Sequence, residues 1–134
     1  MPEATLPASR HVFVYGTLRR GGDNDITRLQ PAPRFIGTGS IPGAMYHFGR
    51  YPGVLLGREG SVLGEVYAIT PELEQTLDEI EELYPQQTNE YFKRDIKVRV
   101  GDEEIACIVY EINPSYVDGK PLIASGDWVK DCLA

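Results

Sequence analysis

The chain has 134 residues, enough for one domain that buries a real core without metal or disulfide staples. It is 42% hydrophobic and 25% charged, with 14 glycines and 10 prolines between short apolar runs, a balance that favours many strands and turns over long helices. A formal net charge of -7 argues against nucleic acid as the main partner, no apolar run approaches the length of a membrane span, and no signal pattern opens the chain, so the expectation is a soluble, cytoplasmic protein with no membrane partner.

Residues 1–9 read as a loose arm, rich in proline and alanine and without period, ahead of one domain over 10–134. "HVFVY" is a short buried strand running into the turn "GTLRRGG". "DNDITRLQP" suits a short helix capped by Asp23 or Asp25, with Pro31 beyond its end. "RFIGTGSIPGAMYHFGRYPGVLLG" interrupts short apolar pieces with glycine and proline, which fits hairpins and bent strands. "GSVLGEVYAI" is a strand, with Glu65 on the same face as Leu63, Tyr67 and Ile69 by the two-residue period. That glutamate is either a core-facing acid or a residue on the wet face of an edge strand.

The pattern then changes. "TPELEQTLDEIEELYP" predicts a helix with Thr70 as cap, Pro71 at its first position and Pro85 at its end. "YFKRDIKVRV" and "EEIACIVYEI" predict a hairpin around "GDE". Cys107 in the second of these reads as a small core residue, and its distance from Cys132 gives no disulfide framework. "SGDWVKDCL" suits a short closing helix capped by Ser125. The acid excess, in 72–90 and 102–104, reads as solvated surface. Strands on both sides of one strong helix give an α+β class: a compact mixed sheet or barrel with helical additions.

The strong helix can be analysed by angle. At roughly 100° per residue, Leu73, Leu77, Ile80 and Tyr84 share one stripe, the face that packs on the sheet. Asp78, Glu79 and Glu82 are expected to point into water, and Glu72 lies to the side. Glu81 falls about 60° from the stripe centre and Glu74 about 80°. Glu81 is therefore the carboxylate nearest the apolar face, where desolvation raises a pKa toward the range useful for proton transfer. The bland alternative is a solvated boundary residue.

Several mechanisms lack their parts. The two histidines, His11 and His47, sit in no nucleophile motif and read as packed or surface residues. There is no C-x-x-C or H-E-x-x-H zinc pattern, and "YGTLRRGG" is neither a P-loop nor a dinucleotide fingerprint. No metal and no cofactor is expected. What remains is a glycine turn at a strand end, able to aim backbone N–H groups at an anion or oxyanion, an arginine pair after it, and an acid at a helix edge.

In order along the chain, "VFVYGTLRRG", "GSVLGEVYAI", "LDEIEELYP", "YFKRDIKV", "IACIVY" and the later "SGDW" resemble the gamma-glutamylcyclotransferase-like family, in particular its AIG2-like and gamma-glutamylamine cyclotransferase branch. The resemblance implies a small mixed β-barrel flanked by short helices. It also implies a lyase- or transferase-type enzyme that releases 5-oxoproline from a small gamma-glutamyl substrate. In that reaction the substrate's own α-amine attacks its side-chain amide carbonyl, and a glutamate moves the proton. The family's L-D-x-x-E pattern carries that role onto Glu81. Its Y-G-[ST]-L turn carries substrate binding, largely through main-chain groups, onto Tyr15, Gly16, Thr17 and Leu18. Arg19, Glu65 and Tyr91 are further candidates, the last from the family's Y-x-R at the strand after the helix, from which "EYFKRD" departs, with Lys93 two residues after Tyr91 and Arg94 three after it. The polar stretch "ELYPQQTNE" suits a loop over the leaving-group pocket. The alternatives are a non-catalytic binding module on the same fold and, more weakly, a phosphate or nucleic-acid binder using Arg19, Arg20 and Arg28.

Overall fold

The computed structural model describes residues 10–16, 18–19, 25–30, 32–49, 51–80 and 91–129. Five strands, β1 (Arg10–Val14), β2 (Arg34–His47), β3 (Pro52–Ile69), β4 (Tyr91–Val100) and β5 (Glu103–Ile112), close into a barrel in the order β1-β3-β2-β4-β5. The helix α1 (Pro71–Ile80) follows β3, and single 3-10 turns occupy Ile26–Arg28 and Pro114–Tyr116. The small α+β barrel expected from the sequence is thus observed.

Local chemistry sets these elements. The glycine- and proline-rich stretch forms one long antiparallel hairpin, β2 on β3. Its register breaks at Pro42/Gly43, where a proline without an N–H can sit in a sheet, and the exposed residues 57–60 of β3 fall opposite that break. β4 and β5 pair in unbroken register from Tyr91↔Ile112 to Val100↔Glu103. The barrel closes where β1 meets β5 in parallel at Val12 and Ile108, and where β2 meets β4 at Ser40 and Arg99. Asp25, one of the two expected caps, accepts from the Thr27 N–H at 2.9 Å, but the turn it opens is 3-10. Thr70 caps α1 as expected, its hydroxyl accepting from the Leu73 N–H at 3.1 Å.

Alternation along the strands divides the core in two. Phe13, Ile41, Val54, Val62, Val66, Val98, Cys107 and Val109 fill the inside of the barrel, with Trp128 packed against them. Val12, Val14, Tyr67, Ile69, Ile108, Tyr110 and Ile112 form the outer face, which Leu73 and Leu77 of α1 cover. Because Ile69 pairs with Arg10, α1 starts at the Arg10 end of the barrel. It then runs back toward the end where β1 and β5 finish and β4 begins.

Candidate active site

At that second end the chain leaves β1 through Tyr15. The Arg19 N–H donates to the Gly16 carbonyl at 3.0 Å, closing a tight turn, and the Ile26 N–H donates to the Leu18 carbonyl at 2.9 Å. The turn is pressed on the start of β3: a Cβ added to Gly16 would lie 2.5 Å from Pro52 Cγ, so the position requires glycine. The Pro52 carbonyl in turn accepts from the Tyr91 hydroxyl at 2.9 Å. Tyr15 donates its hydroxyl to the Tyr110 carbonyl at 2.6 Å. Among the described residues, no hydrogen bond takes up the N–H of Gly16 or Leu18. Of the residues named from the sequence, Gly16 and Tyr91 therefore meet at Pro52, with Tyr15 and Leu18 beside Gly16 in the same turn, while Thr17 lies outside the described residues. Beside them Tyr51 tilts against Tyr91, ring centroids 6.3 Å apart, and stacks on Phe48 at 5.6 Å.

Arg19 is buried on the outer face of the barrel. Its Nε donates to Glu65 at 3.1 Å and its Nη1 to Asp127 at 2.9 Å. Glu65, opposite Val14 in the β1–β3 register, also accepts from the Tyr67 hydroxyl at 2.9 Å. Of the two readings left open for Glu65, the core-facing one holds, and its carboxylate is committed to Arg19 and Tyr67. Asp127 was not singled out as a site residue. It follows Gly126, whose positive φ of 67° and close approach to the Ser61 backbone lock the segment against the barrel. Ser125 accepts from the Asp127 N–H at 3.1 Å, while most of the closing helix it was expected to cap lies outside the described residues. Arg20 lies outside the described residues.

The helix brings a correction. Asp78, expected in water, is 2% exposed. Its Oδ1 accepts from the Tyr110 hydroxyl at 2.6 Å and its Oδ2 from Lys93 at 2.9 Å. The β4–β5 hairpin rises along the flank of α1, so the buried arc of the helix is wider than its apolar stripe, and polar partners satisfy the acid there. Glu74 also faces the hairpin and binds Lys93, so the acids of α1 are only partly the solvated surface expected. Glu79 is exposed as expected. Burial alone would lower the Lys93 pKa, but its hydrogen bonds and charge interactions with Glu74 and Asp78 outweigh that and hold it above its usual value. Glu81, Glu82, Tyr84 and Pro85 lie outside the described residues, as do residues 1–9, Asp23, Pro31, Cys132 and the stretch 82–90.

Elsewhere, His11 and Cys107 line an open cavity of about 540 Å³ with Arg10, Asp95 and Glu104, at the splay between the start of β1 and the first half of β5. Burial pushes the Cys107 thiol up to about 12, which suits a core residue and not a nucleophile. Among the described residues no cluster of side chains could hold a metal ion, and no helix is long and apolar enough to cross a membrane.

Comparison with known proteins bears on the family and the fold. Residues 12–130 match the family described as gamma-glutamyl cyclotransferase, AIG2-like. The chain is 37% identical over 121 residues to the gamma-glutamylcyclotransferase family protein YtfP of Escherichia coli, covering 88% of this chain and 95% of that one. It is also 37% identical over 86 residues to the gamma-L-glutamyl-butirosin B gamma-glutamyl cyclotransferase of Niallia circulans, covering 63% of this chain and 54% of that enzyme. Among solved structures, an AIG2-like protein from mouse superposes with a TM-score of 0.69 at 26% identity, over 89% of this chain and 88% of that one.

Proposed function

Because the chain belongs to the AIG2-like gamma-glutamyl cyclotransferase family, we propose that it is an enzyme that releases 5-oxoproline from a gamma-glutamyl amine or amide, with Glu81 as general acid and base. One observation carries the reading. Asp78, in the L-D-x-x-E pattern that ends at Glu81, is joined through Tyr110 to Tyr15 of the turn. The helix that ends at Ile80, directly before Glu81 in the chain, and the turn bearing the backbone donors are thus tied at one end of the barrel.

The chemistry asks little of the protein. In the unprotonated form, the substrate's α-amine nitrogen attacks the γ-carbonyl carbon, forming the lactam C–N bond. The carboxylate of Glu81 takes the proton the amine sheds and delivers it to the amide nitrogen as the second C–N bond breaks and the amine departs. Folding the glutamyl group into a five-membered-ring geometry supplies proximity. The N–H groups of Gly16 and Leu18 are suited to hold the glutamyl moiety or the oxyanion. The rings of Tyr51 and Tyr91 form a wall beside them that favours a dry site, where such donors act more strongly. An α-amine titrates near neutrality, so a base with a modestly raised pKa suffices. Glu65 is a poor rival for the role, because Arg19 and Tyr67 already claim its oxygens.

The test is release of 5-oxoproline from gamma-glutamyl dipeptides, a gamma-glutamyl polyamine and ε-(gamma-glutamyl)-lysine. Glu81→Gln should fold normally and lose at least about a hundredfold in turnover, the usual weight of a general base. Unchanged turnover would remove Glu81 from the mechanism. Tight binding of these compounds by the wild type without product would mark a binding module on the same fold.

A further inference from the structure

Tyr110 faces two ways. Its backbone carbonyl accepts the Tyr15 hydroxyl and its own hydroxyl donates to Asp78, both at 2.6 Å. Exposure is 6% at Tyr15, 3% at Tyr110 and 2% at Asp78, so water does not compete for either bond. Tyr110 sits on β5, which is held along its length by β4 and meets β1 two residues earlier. Its backbone is therefore a fixed reference, with the turn after β1 tied to one side and α1 to the other.

We propose that Tyr110 is a positioning residue that sets the angle of α1 relative to the turn 15–19. The inference rests on the reading that the turn and Glu81 act on one substrate. The apolar contacts of Leu73 and Leu77 fix the distance of α1 from the barrel, but such contacts are non-directional and resist rotation weakly. A short hydrogen bond to a carboxylate is directional and strong. A helix turning by about 20° on its axis swings a side-chain tip by about 2 Å, given a radius of roughly 6 Å. Misplacement by about 1 Å is enough to cost about a hundredfold in rate. Lys93 still binds Asp78 and Glu74 when the Tyr110 hydroxyl is removed, so the helix stays attached and loses one of the directional bonds that set its angle.

The experiment compares the wild type with Tyr110→Phe, Tyr15→Phe and the double variant. The readouts are kcat and KM for 5-oxoproline release, the thermal midpoint, and amide hydrogen exchange of peptides covering the turn and α1. Two links in series give a distinct pattern. Each single variant should lose about tenfold in kcat with KM within about twofold, and the double should fall no more than about threefold below the worse single. Exchange should quicken in α1 in Tyr110→Phe and in the turn in Tyr15→Phe, while the rest of the barrel stays protected. Independent losses that multiply to about a hundredfold, or wild-type kcat in Tyr110→Phe, would overturn the proposal. If the wild type releases no 5-oxoproline, the assigned activity fails and exchange alone decides the coupling. Loosening of α1 in Tyr110→Phe and of the turn in Tyr15→Phe then upholds it, and unchanged or uniformly raised exchange overturns it.

Discussion

Replacing Arg19 by methionine isolates what the buried guanidinium contributes. Its side chain is 9% exposed, and the carboxylates it joins, Glu65 and Asp127, are 10% and 18% exposed. Methionine keeps most of the apolar stem and removes the charge, leaving two carboxylates in a poorly hydrated site with their cation gone. Breaking a buried pair in this way costs about 3–5 kcal/mol. In a chain of this size that is roughly 10–15 °C in thermal midpoint, measured by calorimetry or by circular dichroism. The control is Arg94→Met. Arg94 donates to Glu111 at 2.9 Å, as short as the Arg19–Asp127 contact, but its side chain is 50% exposed. An exposed pair contributes about 0–1 kcal/mol, so this variant should move the midpoint by no more than a few degrees. Adding Glu65→Gln to Arg19→Met should recover part of the loss, because one stranded charge is removed. If Arg19→Met and Arg94→Met shift the midpoint alike, burial does not govern these pairs and the reasoning fails.

Gly16→Ala places a methyl 2.5 Å from Pro52 Cγ, so the turn must move; we expect about 1–3 kcal/mol of destabilisation by urea melt and a loss of turnover in the same assay used for Glu81→Gln. Stability should also fall in alkali. The folded-state pKa values of Cys107, raised from 9.0 to about 12, and of Lys93, raised above 10.5, both exceed their unfolded values, so the stability each contributes is complete below the unfolded value and lost as pH climbs through the folded one. Urea melts should show the thiol's part as a decline of about 1.4 kcal/mol per pH unit from pH 9 upward, and Cys107→Ala should flatten that decline while leaving the lysine's part above pH 10.5.

The barrel was legible because short-range chemistry and the two-residue period agree along most of the chain. Both strands of the β4–β5 hairpin follow from alternation and a Gly-Asp turn, and α1 from Thr70, Pro71 and two leucines a turn apart. The long β2–β3 hairpin was legible only as bent strands. Its register depends on which glycines meet another backbone, and that is settled by contacts such as Gly39 against Val98 and Arg99 of β4, far along the chain. The closing bridges at Val12–Ile108 and Ser40–Arg99 have no local signature at all.

The turn of the candidate site was legible in part, from its glycine and its place at a strand end, and the polar residues around it were not. Helical angle places Asp78 away from the apolar stripe, and nothing within α1 says otherwise. Its burial depends on Tyr110 and Lys93, which the hairpin delivers 32 and 15 residues later. Asp127 reaches Arg19 across 108 residues. Both acids belong to networks on the outer barrel face, and each network holds the turn 15–19 from a different side: Arg19 from the β3 side, Tyr15 and Tyr110 from the β5 side. On the proposed function this arrangement has a physical rationale. A substrate held by main-chain N–H groups gains no help from side-chain rotamers, so the position of the backbone must itself be fixed. Apolar packing excludes water but does not set orientation, whereas satisfied buried hydrogen bonds fix both distance and angle. Recognition through a short backbone turn therefore calls for polar clamps drawn from distant parts of the chain, and such clamps are what reading along the sequence is least able to find.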